Sequence, residues 1–253
     1  MYTDEEFEQL EEEERSLTDE AIAILLLIMA NTKGNLKKEL RNFYQKYGKD
    51  GVVTYAEARK WISQQNHQRR LTSLTLIVSG VFASALNDLE KQFRSFLIDV
   101  IGKEETFFGV KINVDDILSR KWGLDDLTWL DRLQADIELW KATISKDIKQ
   151  ALHRGATIQD VLDILEKRFE SINYVLDKLG LTESTAVGSM SREAIFKELG
   201  ISKYRFYTVP DERRCEICGA MHGTVFPISA YEVGVTASPM HPRCRCWEVP
   251  ILE

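Results

Sequence analysis

The sequence predicts an α+β protein: a mostly α-helical body of long helices, followed by a small, stapled, β-containing C-terminal unit. Three patterns carry that reading. All five prolines (Pro210, Pro227, Pro239, Pro242, Pro250) lie from position 210 onward. Proline removes a backbone donor and clashes with the preceding helical turn, so the proline-free stretch suits long helices. Apolar residues in that stretch recur every three or four positions. All four cysteines crowd between Cys215 and Cys246, beside His222 and His241. The expected division is 1–20, an acidic segment; 21–200, the helical body; and 201–253, a small β domain with a Cys/His metal site.

The first helical region spans Leu17 to Tyr47 as one or two helices, with Ser16 or Thr18 as N-cap and acids in the first turn. A second runs from Thr54 to about Ile101, with a break expected near Asn66 or Gly80. Within it Leu71, Leu74, Val78, Val81, Phe82, Ala85 and Leu89 form a stripe at helical spacing. "GKEETFFGV" reads as a turn. Val114–Leu118, Leu124–Leu152 and Ile158–Leu179 then repeat at helical spacing, with Thr157 and Asp160 as a capping pair. The acid pairs Asp115/Asp116 and Asp125/Asp126 stand where helix starts are expected and read as caps. A last helix, Ser184–Leu199, ends at Gly200, which tolerates the left-handed conformation of a helix terminator. Beyond it "YRFYTV" alternates with period two and is rich in aromatic and β-branched residues, so it reads as a strand. "TVF" and "CRCWEV" are two further short strands.

Composition bounds the function. With 253 residues, 44% of them hydrophobic, the chain can bury one large core or two smaller ones. No membrane span is expected: the longest apolar run, "AIAILLLIMA", is about half of the ~20 residues a spanning helix needs. Its acidic flank does not suit a signal peptide, so the cysteines are expected in a reducing compartment. The net charge of −7 is unevenly spread. Residues 1–20 hold ten carboxylates against Arg15, which suits a solvated helix or a flexible tail. Residues 33–70 hold ten Lys/Arg against Glu39, Asp50 and Glu57.

A β unit this small needs a staple. Cys215 and Cys218 form a C-x-x-C knuckle, a spacing that presents two thiolates to one tetrahedral ion. Gly219 is expected to ease the tight backbone there, and Arg213 and Arg214 favour the thiolate form. His241, Cys244 and Cys246 supply the other half, with Cys244 and Cys246 on one face if "CRCWEV" is a strand. The favoured ligands are Cys215, Cys218, His241 and Cys244, with Cys246 as the alternate. Sulfur and imidazole suit Zn²⁺, and a filled four-coordinate shell is structural. Packed free thiols and a redox C-x-x-C are the other readings of the same residues.

"DERRCEICGAMHGTVF", followed after a gap by "HPRCRC", resembles the signature of phage minor head proteins, the head morphogenesis family typified by the F protein of phage Mu. The matching positions are Asp211, Cys215, Cys218, Gly223, Phe226, His241, Pro242, Cys244, Arg245 and Cys246. The resemblance implies a minor capsid component and not an enzyme. Such a protein sits inside the head near the portal protein and assists head assembly, DNA packaging or genome delivery. It is found in the virion, and in the host cytoplasm during assembly, with no membrane partner and no small-molecule substrate. Beside packaged DNA, Lys33, Lys37, Lys38, Arg41, Arg59, Lys60, Arg69 and Arg70 are candidate phosphate contacts; a solvated basic face is the plainer reading.

Two other classes compete. A zinc nuclease or hydrolase would use an open metal position, with His222 or Asp211 as base; a stand-alone DNA-binding protein would rely on residues 33–70. No P-loop, dinucleotide fingerprint, G-x-S-x-G elbow or H-E-x-x-H occurs. "KYGKDGVVTYAE" only half-matches a calcium loop, because Lys46 and Gly48 stand where carboxylates are needed.

Overall fold

The computed structural model describes residues 3–65, 74–209 and 211–252. The candidates Arg69 and Arg70, the possible break at Asn66, and Leu71 of the apolar stripe fall outside them. The described elements are α1 (Asp4–Tyr47), α2 (Tyr55–Gln65), α3 (Thr75–Phe108), α4 (Val114–Ser119), α5 (Trp129–His153), α6 (Ile158–Glu198), β1 (Lys203–Thr208), α7 (Glu216–Met221), β2 (Val225–Pro227) and β3 (Cys246–Ile251). The mostly helical body and the C-terminal three-stranded sheet are those the sequence predicts.

Helix starts follow their caps. Thr157 donates to Asp160 Oδ2 through its N–H (2.8 Å), and its hydroxyl accepts the Asp160 N–H (3.2 Å). Thr3/Glu6, Thr54/Glu57 and Thr128/Asp131 repeat the device, satisfying amides that a helix start leaves without partners. Gly200, at φ +68°, ends α6, where Ile201 N–H reaches back to Phe196 O at 2.8 Å.

Several boundaries differ from expectation. Helix α1 begins far ahead of Leu17, and its acidic start is neither a tail nor wholly solvated. Phe7, Leu10, Glu11, Glu14 and Thr18 are buried there. Gly80 lies within unbroken α3, and "GKEETFFGV" continues that helix to Phe108 before Gly109 turns at φ +68°. The two helices expected around 158–199 are one. Asp125 and Asp126 cap nothing: Thr128 starts α5, and Asp125 grips Arg132 at 2.6 and 3.0 Å. Asp115 and Asp116 do sit in the first turn of α4, behind the N-cap Asn113.

The chain forms two compact units: Met1–Ala23 with Gln92–Arg132 and Asp177–Glu253, and Ile24–Lys91 with Leu133–Leu176. In the first, Phe7, Phe108, Ile195, Phe196, Tyr204, Tyr231 and Trp247 make one apolar core. The antiparallel sheet, in order β2-β1-β3, lies against it, with Tyr204 opposite Phe226 on one side and Pro250 on the other. In the second unit Phe43 meets Trp61 edge-on at 5.2 Å, Phe82 stacks with Phe169 at 6.2 Å, and His153 stacks on Tyr55 at 4.2 Å.

Candidate metal centre

Alternation along β1 turns Phe206 inward, where it meets Cys218, Cys244 and Cys246, with Cys215, Met221, Phe226 and Met240 at the edge. Cys215 is the N-cap of α7: its Sγ accepts the Cys218 N–H at 3.4 Å. The helical turn then carries Cys218 round to the same side. The glycine that relieves the backbone is Gly223, at φ +80°, and not Gly219. Gly223 donates to Phe206 O at 2.8 Å and returns the chain to the sheet.

Of the second half, His241 and Cys244 arrive in a turn and Cys246 in the strand. β3 begins at Cys246; Cys244 precedes it in a turn where its N–H bonds His241 O at 3.1 Å and Arg243 takes φ +60°. Helix α6 fixes this turn. Thr182 Oγ1 accepts the Arg243 N–H (3.1 Å), Thr185 Oγ1 donates to Cys244 O (3.2 Å), and Asp177 pairs with the Arg243 guanidinium. Arg245 ties the halves together through two 2.6 Å bonds to Asp211, just ahead of the knuckle. That pair holds the Asp211 carboxyl down at about 2. The spacings announced the donors; these braces were illegible because their partners lie tens of residues away in sequence.

Two groups of donor atoms, Cys215/Cys218/His241 and Cys218/Cys244/Cys246, each lie within 4.8 Å of one another and could hold a metal ion. A tetrahedral ion with sulfur bonds of about 2.3 Å separates its thiolates by about 3.8 Å. Cys218 Sγ lies 3.8 Å from Cys244 Sγ and 3.3 Å from His241 Nε2. His241 Nδ1 lies 2.9 Å from Pro242 O; donating there fixes the tautomer and leaves the Nε2 lone pair facing the sulfurs. The thiols restrain one another. Burial and the neighbouring Cys244 push Cys218 up to about 12, while the hydrogen bond from Cys246 draws Cys244 down to about 5. That same bond, with burial, raises Cys246. Packed together and buried, the three thiols hold back one another's ionisation, and a cation would let them ionise together.

His222 stands outside both groups. Its Nδ1 accepts the Thr208 N–H at 3.2 Å and its ring meets Tyr207 edge-on at 4.7 Å. Of the basic candidates, Lys33 and Lys37 both pair with Glu166, whose carboxyl they hold at about 2. Lys38, Arg41, Arg59 and Lys60 are exposed.

No helix among the described residues is long and apolar enough to cross a membrane. No curated protein and no solved structure matches the chain. Residues 142–249 match the family model for Phage Mu protein F like protein. That range takes in the second half of α5, all of α6, the first two strands, most of β3, and all five donors. Over these residues, a little under half of the chain, the sequence is similar to the phage Mu F-like family of minor head proteins.

Proposed function

We propose that this protein is a structural component of a tailed-phage or prophage head, held inside the capsid near the portal, where it assists assembly, DNA packaging or genome delivery. The observation that carries the reading is the family match over 142–249, which encloses the whole Cys/His cluster and the helix that braces it. The cluster's chemistry supports a stabilising role. Zn²⁺ held by Cys215, Cys218, His241 and Cys244, with Cys246 as the alternate, would fill a tetrahedral shell and lock the small sheet. The runner-up, a zinc hydrolase, finds little support. Asp211 is engaged by Arg245 and His222 by Thr208, so neither is free to act as base at an open metal position.

The test is to separate DNA-filled heads, empty heads and free protein from a phage lysate, then follow the protein by antibody and probe for portal by crosslinking. Presence in purified heads with crosslinks to portal is the expected result. Protein found only in the free fraction would reject the reading.

A second reading adds DNA contact inside the head. The exposed Lys38, Arg41, Arg59 and Lys60 favour it. Lys33 and Lys37 are withdrawn from that role by Glu166.

A further inference from the structure

We propose that the N-terminal part of α1 is latched to its own unit by a proton shared between Glu14 and Glu104, and that losing this proton loosens the segment. Four buried carboxyl groups surround one guanidinium there: Glu11 and Glu14 from α1, Glu104 from α3 and Glu248 from β3, about Arg192 of α6. Arg192 Nη2 lies 2.5 Å from Glu104 Oε1 and 3.5 Å from Glu14 Oε2, and also pairs with Glu11; Nη1 lies 3.9 Å from Glu248 Oε2. Fully ionised, the four carboxylates would carry three negative charges more than Arg192 balances, which burial does not tolerate.

Hydrogen-bond donors are unevenly divided among the four carboxyl groups. Glu248 meets more donors than the others: it accepts from Ser238 N–H (2.6 Å) and the hydroxyls of Ser189 (3.1 Å) and Ser238 (3.4 Å), and Tyr231 Oη lies 3.0 Å away, although burial raises the Glu248 carboxyl too. Glu14 Oε1 and Glu104 Oε2 meet no donor, while the other oxygen of each, Glu14 Oε2 and Glu104 Oε1, faces the same Arg192 Nη2. Two carboxyl groups crowded into one buried site do not both ionise, so one of the pair keeps a proton. Gly188 of α6 closes over the pair: a Cβ there would stand 3.4 Å from Glu14 Oε2 and 3.5 Å from Glu104 Oε1. The other charged groups nearby are Arg15, Asp19, Arg213, Arg243 and Arg245, which share with Glu11, Glu14 and Arg192 the wall of a cavity of about 520 Å³. Tyr231, pushed up by burial and by Glu248, stays neutral.

Burial raises both carboxyls, Glu104 from 4.5 to about 7 and Glu14 well above 4.5. A raised acid stabilises the closed form fully below the open-state value and loses that contribution as pH climbs through the closed-state value. The latch is therefore tight near pH 4.5 and spent above about 7. Between these limits opening releases one proton, so its equilibrium constant rises about tenfold per pH unit.

Hydrogen exchange of residues 4–20 in the full, metal-loaded chain tests this at about pH 5 and about pH 7, corrected for intrinsic exchange. Wild type should open about tenfold more per pH unit, while Glu104→Gln, which keeps a neutral donor in place, should be flat. Glu14→Gln places that donor on the other partner and should flatten the profile too, which covers a folding failure of the first variant. The thiolates titrate in all three proteins, so the difference isolates the carboxyl pair. A flat wild-type profile, or folded variants that parallel wild type, would overturn the latch.

Discussion

Cys218 belongs to both donor groups, whereas His241 and Cys246 each belong to one, and this asymmetry makes the centre open to dissection. With the proposed ligand set, purified wild type should carry about one zinc per chain; Cys246→Ser should keep it and His241→Ala should lose it. Loss should cost roughly 3 kcal/mol, a fall of about 6–12 °C in the melting temperature, which chelator should reproduce in wild type alone. Zinc lost from Cys246→Ser but kept in His241→Ala would reverse the assignment, and no zinc in wild type would remove it. Ligands must be deprotonated to bind, so retention should also weaken on acidification. At this scale the sequence was informative about the donors, because thiol and imidazole spacing is local chemistry. It was silent on Thr182, Thr185 and Asp177, whose part depends on α6 passing beside the Arg243 turn. It misassigned the strained backbone to Gly219, since whether a glycine adopts positive φ is decided by where the chain must go next.

Helix length was the least legible feature among the elements, and glycine explains why. The sequence is read as one helix over Ile158–Leu179 and another over Ser184–Leu199, with Gly180 in the gap between them. In the structure Thr182 and Thr185 bond back to Lys178 O (2.6 Å) and Leu181 O (3.0 Å) within one continuous helix. Gly180 is there for contact: a Cβ would stand 2.9 Å from Ile22 Cγ1, which is buried and not the loose end of a side chain. Gly34, also inside a helix, has nothing within 4 Å of that position. The same substitution should therefore act with opposite signs. Gly34→Ala gains helix propensity of about 0.8–1.0 kcal/mol, a rise of 2–4 °C in the melting temperature. Gly180→Ala gains as much but overpacks Ile22 at about 1–3 kcal/mol, so its net effect should be a loss of up to about 2 kcal/mol. Denaturant titration of both variants gives the comparison; stabilisation by Gly180→Ala would mean that α1 and α6 yield more easily at this contact than the packing implies.

Charge is the property that separates the two ends of the first helix over the whole molecule. Residues 1–20, ten carboxylates against Arg15, belong to the first compact unit, and the exposed Lys38, Arg41, Arg59 and Lys60 to the second. Composition made this segregation visible, but not which cations remain available, since that depends on Glu166 arriving from α6 to meet Lys33 and Lys37. Glu166, depressed to about 2, contributes above pH 4.5 and loses that contribution as pH falls toward about 2; being 42% exposed at its side chain, the pair adds little stability in solvent. Its consequence lies in binding. Each lysine or arginine that meets a DNA phosphate releases counterions and adds about 0.9 to the slope of log affinity against log salt. If this surface touches packaged DNA, replacing Lys38, Arg41, Arg59 and Lys60 together by alanine should lower that slope by roughly 3 to 4 on duplex DNA, uniformly across sequences. The double variant Lys33→Ala/Lys37→Ala should leave it nearly unchanged, because those ammonium groups already have a carboxylate. Fluorescence anisotropy with a labelled duplex across a salt series reads both slopes. Equal losses in the two variants would show that Glu166 yields its lysines to phosphate, and an unchanged slope in the quadruple variant would move any DNA contact off this surface.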